Sequence, residues 1–429
     1  MKSSDNKKLW ILNIFSFLLT IIAYFFDEKL VFIAGIVAWL ALISLFKSVN
    51  GKSLLYKLLA LSVIAFAYSF YNSFDIDFIK AISVNQYLLT LLIGVGFLRL
   101  IATPKVKAIK SLPKGKKSFL KTYLGVHLFG SVINLSSLII VADKLYKKAK
   151  LTKLQIITLT RAFSSDAYWS PFFVAFAAAI TYAPNLSSSV ILSLGLVLAF
   201  LTFLVTFFEV KNEPLLDEFR GYPMEFETLY LPFSLAFLVL VTHHYFPELK
   251  VILLISIFSL LLAIFILPLK FGLKKSSEKL KTHISCELPK MKNEIALFLI
   301  AGMFGVSISS VLLGMNLSLP FEQLNGFYAS LILLIFILLS FVGIHPIISI
   351  AVLGNWVDQL NHTLLAVSFL MSWAIAVSTS PFSGLNLTMQ ARYELEAKEI
   401  FRTNLPYAIK MYFICVIMLF LLSNYLGLE

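Results

Sequence analysis

The chain has 429 residues and a formal net charge of +13, yet only 14% of its residues are charged and 59% are hydrophobic. Soluble domains carry about a quarter charged residues, so a water-soluble globular protein is excluded. The lysines stand between apolar blocks, the positive-inside pattern of an inner-membrane protein, and this excludes nucleic acid as a partner and makes membrane lipid the surrounding medium.

Taken in chain order, the apolar blocks predict full helical spans over 9–26, 30–46, 54–71, 85–101, 187–209, 228–245, 250–270, 293–313 and 406–427, each of the length that crosses a bilayer. The first block follows Lys7 and Lys8 but lacks a small-residue cleavage pattern, so it reads as a retained span. Four further segments, 118–142, 154–183, 325–358 and 361–390, are apolar but interrupted by small, polar or proline residues. The longest hydrophilic stretch, 271–292, reads as a basic and featureless loop.

Charge orients these elements. With the N-terminus in the cytoplasm, and with 118–142 and 325–358 each entering and leaving on one side, the outer loops hold only Lys29, Lys80 and Lys250. Arg99, Arg161 and Lys410 then lie within spans, and every other Lys and Arg lies inside. A full crossing by 118–142 would put the basic stretches 105–121 and 144–153 on opposite sides. The expectation is an all-α polytopic protein of about eleven transmembrane helices plus two re-entrant hairpins, with the C-terminus outside.

The two halves share an order of motifs. Gly125-Val126-His127 in the first hairpin matches Gly343-Ile344-His345 in the second, which places His127 and His345 in equivalent positions. Asp143-Lys144-Leu145 matches Asp358-Gln359-Leu360, and a segment broken at Ser170-Pro171-Phe172 matches one broken at Ser380-Pro381-Phe382. The charge-derived topology gives the copies opposite orientation, an inverted repeat of the kind many secondary transporters use. The expected division is an extra helix at 1–29, scaffold helices at 30–101 and 228–313, and hairpin, broken helix and following span at 102–227 and again at 314–429.

Proline inside a helix frees backbone carbonyls, which lipid does not tolerate unless the break lines a polar cavity. Freed carbonyls and hydroxyls suit a hard cation such as sodium, near Asn134, Ser170 and Ser380. Helix N-termini suit an anion. The second break gathers Thr379, Ser380, Gly384 and Asn386, and the first gathers Ser165, Asp166 and Ser170. Asp166 is an intramembrane carboxylate, either a proton carrier, a ligand, or an ion-pair partner of Arg161. The hairpin tips add Asn134, Ser136, Ser137, His345 and Ser349, with Ser131, Pro346 and Asn355 beside them. No P-loop, Gly-x-Ser-x-Gly or His-Glu-x-x-His motif is present, so no catalytic residue and no cofactor is expected.

Gly343-Ile344-His345-Pro346 followed by Thr379-Ser380-Pro381-Phe382-Ser383-Gly384-Leu385-Asn386-Leu387 resembles the ion transporter superfamily, which includes divalent anion–sodium symporters and the large membrane subunits of TRAP transporters. The resemblance implies an elevator mechanism in which hairpins and broken helices slide against a dimerising scaffold. It implies a carboxylate-type substrate with sodium or proton coupling, and ligands at Asn134, Ser136, Ser380, Gly384 and Asn386. The expected function is therefore ion-coupled secondary transport of a small organic anion by a homodimer. The alternatives are a passive channel or exporter, or a membrane-embedded lipid-modifying enzyme.

Overall fold

The computed structural model describes residues 3–102, 112–222, 230–357 and 360–428. Lys105, Lys107 and Lys110 of the first basic stretch, and the Asp358-Gln359 pair of the second motif, lie outside the described residues. The described residues are helical without a strand. The helices are α1 (Ser3–Phe26), α2 (Val31–Leu45), α3 (Lys52–Tyr71), α4 (Phe78–Ser83), α5 (Gln86–Ala102), α6 (Lys116–Ile133) and α7 (Leu135–Tyr146). They continue as α8 (Lys153–Ser164), α9 (Val174–Tyr182), α10 (Ser188–Val210), α11 (Tyr230–Tyr245), α12 (Val251–Phe271), α13 (Leu273–Thr282) and α14 (Lys292–Gly314). The last are α15 (Gly326–Phe341), α16 (Pro346–Trp356), α17 (His362–Thr379), α18 (Gly384–Tyr393) and α19 (Ala397–Tyr425). Among the described residues, eight helical stretches are long and apolar enough to cross a membrane.

The chain packs as two units. The first comprises Met1–Ile101, Leu231–Pro320 and Ile347–Asp358. Small residues bring its helices close, as expected where lipid supplies no hydrophobic drive. A Cβ on Gly94 of α5 would stand 2.7 Å from the Ser256 Cα of α12, and one on Gly305 of α14 would stand 2.5 Å from the Ala351 carbonyl oxygen of α16. Polar side chains join the same helices: Gln86 Nε2 donates to Ser16 Oγ at 2.6 Å, and Ser309 Oγ donates to the Asn355 carbonyl at 2.7 Å. The stretch 271–292 is not a featureless loop. It forms α13, a π turn and a 3-10 turn leading directly into α14. The π turn anchors it by burying His283 against the Phe97 ring, with centroids 5.1 Å apart.

The second unit comprises Ala102–Tyr230, Phe321–Pro346 and Gln359–Glu429. At its centre lie α8 and α17, where every residue over 154–164 and over 363–379 is buried. A helix apolar nearly all round, as α17 is, is stable only when covered on every side, and the buried polar groups of α8 need partners from its neighbours. Here α17 is covered by α15 and α19, and α8 by α6 and α10. Each central helix then stops at a Ser-Pro-Phe, and a short helix follows, α9 after the first and α18 after the second. The short helices α7, α9, α16 and α18 contain 12, 9, 11 and 10 residues. At 1.5 Å per residue they are about 14 to 18 Å long, too short to cross about 30 Å of hydrocarbon alone. The first expected hairpin is α6 and α7 packed on each other within this unit. The second expected hairpin is divided: α15 belongs to the second unit, whereas α16 from Ile347 onward belongs to the first.

Candidate functional site

The two helix breaks of the second unit are built alike. At the first, Ser170 N–H donates to the Asp166 carbonyl at 2.9 Å, the last helical bond before the proline. The Ser170 hydroxyl donates to the Ser131 carbonyl at the end of α6 and accepts from Phe172 N–H at 3.2 Å. At the second, Ser380 N–H donates to the Ala376 carbonyl at 2.8 Å. The Ser380 hydroxyl donates to the Ser340 carbonyl at the end of α15, at 2.6 Å, and accepts from Phe382 N–H at 3.2 Å. In both cases a serine hydroxyl ties the broken helix to a carbonyl of the preceding helix. It also occupies a backbone N–H that the proline turn leaves without a helical partner.

Three residues beyond each of those carbonyls the chain turns with positive φ, at Asn134 (+53°) and at Gly343 (+96°). This register differs from the motif alignment. It sets Asn134 opposite Gly343, and it separates the two histidines. His127 lies within α6 ahead of its break, whereas His345 lies behind the turn immediately before α16. In the same register Asp166 falls opposite Ala376, and His127 falls opposite Phe336, which stacks on Phe369 at 5.9 Å.

The polar candidates divide between the breaks. Asn134 Nδ2 donates to the Phe172 carbonyl at 3.3 Å, and Ser137 Oγ donates to the Asn134 carbonyl at 3.0 Å. Ser136 is half-buried on the first turn of α7. At the second break Ser383 caps α18 through Asn386 N–H at 3.1 Å. Asn386 Nδ2 donates to the Ser378 and Ser380 carbonyls at 3.2 and 2.9 Å, while its buried Oδ1 accepts no hydrogen bond from the described residues. Thr379 is buried with its hydroxyl 3.1 Å from that of Ser378, and a Cβ on Gly384 would meet open space. His345 meets the Trp373 ring edge to face at 5.2 Å. It also lines a cavity with Ser340, Gly343, Ser380 and Ser383 of about 10 Å³, room for about one water. Ser349 and Asn355 belong to the first unit.

Of the three readings of Asp166, the ionic contacts set aside the ion pair with Arg161. Arg161 is wholly buried on α8 and turns to Glu209 Oε1 of α10 at 3.0 Å and to Asn404 Oδ1 of α19 at 3.0 Å. It also lies over the Tyr407 ring at 4.4 Å. Asp166, on the 3-10 turn that continues α8, meets His127 instead, with Nδ1 2.8 Å from Oδ1. The physical reason is helical geometry. Positions five apart on a helix do not share a face, so Arg161 and Asp166 point to different neighbours.

Asn404 was not singled out from sequence. Its Nδ2 donates to Thr160 Oγ1 at 3.2 Å and to the Ser378 carbonyl at 3.0 Å, so one side chain on α19 joins the two helices that lead into the breaks. The available signal was weak: Asn404 stands beside Arg402 and Thr403, just ahead of the apolar span 406–427. Glu209 and Gly130 were missed because each gains its meaning only from a residue far away in the chain.

For a metal, no group of three His, Cys, Asp or Glu side chains is gathered among the described residues. The carbonyls of Ser131, Phe172, Ser340, Ser378, Ser380 and Pro381 already accept side-chain hydrogen bonds at the breaks. A sodium ion at Asn134, Ser170 or Ser380 would therefore use their second lone pairs or displace those donors. No protein-family model matches the chain, and no curated protein matches it.

Proposed function

We propose that the chain is an ion-coupled secondary transporter of a small organic anion, with its binding site at the two serine–proline breaks. One observation carries this reading: the same hydrogen-bond pattern, serine hydroxyl to the carbonyl of the preceding helix, is built twice around two interrupted helices. Interrupted helices in lipid are costly unless the freed groups are satisfied within the protein or line a polar cavity, and duplicated interruptions are the pattern of carriers that alternate access. The expected topology completes the reading, with eleven crossings, two re-entrant segments, inverted halves and a cytoplasmic N-terminus. The second unit, which holds both breaks, is the part that carries the solute.

The cavity at the second break is far below the several hundred Å³ that a small-molecule site encloses. On this reading the break is closed around about one water, and solute loading would part Phe382, which is 53% exposed, from the Gly343 turn. Counterflow in liposomes tests the proposal. Purified protein is reconstituted with unlabelled succinate, citrate or glutamate inside, and labelled acid is added outside. Transient accumulation of label identifies a carrier; equilibration without accumulation identifies a channel and overturns the proposal.

A further inference from the structure

We propose that His127 and Asp166 form a proton-binding site, which takes up and releases the coupling proton of the transporter proposed above. Only the coupling role rests on that reading; the site itself rests on geometry. Asp166 is fully buried, and a Cβ on Gly130 of α6 would lie 2.2 Å from its Oδ2. Only glycine leaves room for the carboxylate there. Neither carboxylate oxygen receives a well-aligned hydrogen bond from any described residue, and the ionic contact of the group is with His127, whose Nδ1 lies 2.8 Å from Oδ1.

The imidazole is arranged to exchange a proton at its other nitrogen. Nδ1 lies 2.8 Å from Asp166 Oδ1, 2.9 Å from Ser165 Oγ and 3.2 Å from the Ala162 carbonyl. Ser165 Oγ already donates to that carbonyl at 2.8 Å, so all three neighbours present acceptors to Nδ1. Nδ1 therefore keeps its hydrogen, and a further proton is bound at Nε2 or on the carboxylate. The His127 side chain is 13% exposed, which leaves it a narrow approach. With one proton bound, the pair is neutral overall, as imidazolium with carboxylate or as imidazole with carboxylic acid. Without it the pair is a buried net negative charge. The proton thus removes the charge that burial penalises most.

Among the described residues, His127 is the charged partner that Asp166 meets. The elements packed against this turn are α6, α8, α9, α10 and α17. Besides His127, α6 turns Tyr123 toward it. Arg161 of α8 is held by Glu209 of α10, which also meets Lys410 at 3.3 Å. The ionisable side chains of α9 and α17 are Tyr182 and His362, each at the end of its helix away from the break.

The comparison between breaks separates function from folding. The second break closes with the same serine bonds while carrying Ala376 and Phe336 where the first carries Asp166 and His127. The architecture is thus formed without the polar pair. Proton binding on a single dyad also suits breaks whose carbonyls are already hydrogen-bonded.

Infrared spectra recorded from about pH 5 to about pH 9 on the purified full-length protein test the site directly, in the wild type, Asp166→Asn and His127→Gln. Gel filtration and thermal unfolding check that each variant is folded, and His127→Gln keeps a donor for Asp166 should Asp166→Asn fail to fold. The expected result is a pH-dependent carboxyl or imidazole band in the wild type that is lost in the folded variants. Spectra whose pH dependence is the same in all three overturn the proposal. The second arm measures uptake of the acid identified by counterflow. Loss of pH-driven uptake in His127→Gln supports coupling here. Sodium-driven uptake indifferent to His127→Gln overturns the coupling role while the transport reading stands. A titrating pair with no acid exchanged overturns the transport reading and leaves the proton site intact.

Discussion

The guanidinium of Arg161 is held by Glu209 at 3.0 Å and not by Asp166, the acid nearest to it in the sequence. That single choice of partner divides the polar contacts around Arg161 and Asp166 into two groups. Arg161, Glu209, Asn404 and Lys410 form a network that ties α8 to α10 and α19. His127 and Asp166 stand apart from it as a pair.

The first prediction concerns stability. Removing one partner of a buried ion pair leaves the other charge uncompensated, at about 3–5 kcal/mol. Glu209 is 26% exposed, and solvent reduces the effect, so Glu209→Gln should cost about 2 kcal/mol. Asp166→Asn should cost less than about 1 kcal/mol, because neither carboxylate oxygen has a hydrogen bond to lose and Asn removes a buried charge. Thermal unfolding in detergent measures both. The reverse order would show that Arg161 depends on Asp166 after all.

The serine bonds at the breaks carry the second prediction. Ser170→Ala and Ser380→Ala each strip a hydrogen bond from a buried carbonyl and from a backbone N–H, a loss of about 1–3 kcal/mol. Both variants should also lose counterflow, since both breaks line the proposed site. Full activity in either one would remove that break from the site.

The two turns respond oppositely to substitution, which is the third prediction. Gly343→Ala places a Cβ at φ +96° and should cost about 1–2 kcal/mol. Asn134→Gly removes a side chain from φ +53° but also breaks the 3.3 Å bond to Phe172, so stability should change little. A counterflow assay on Asn134→Gly then reads the side chain's part in binding apart from the fold. Transport equal to wild type would strike Asn134 from the ligand set.

The fourth prediction is topological. Exposed Cys286 is first replaced by Ser, while buried Cys415 stays in place. Single cysteines at Lys114 and Lys147 should then react with an impermeant thiol reagent only from the cytoplasm, and a cysteine at Gln323 only from outside. Labelling of positions 114 and 147 from opposite sides would end the re-entrant reading of α6 and α7, and with it the inverted repeat.

Helical membrane character and the existence of two proline breaks were legible in the residues alone, because both are local. A run of apolar side chains has one low-energy form in lipid, and Ser-Pro-Phe interrupts a helix wherever it stands. The helical form of 271–292 was missed because lysine-rich sequence reads as solvated loop, although its helix is anchored by one buried side chain, His283. What the tertiary structure alone decided is pairing. Gly125-Val126-His127 and Gly343-Ile344-His345 match as letters, but the serine hydroxyls choose Ser131 and Ser340 as partners, and that choice sets Asn134 opposite Gly343. Likewise Asp166 and Arg161 are neighbours in sequence, yet a helix turns them to different faces. Their partners, His127 and Glu209, come from other helices, and only packing brings them within reach.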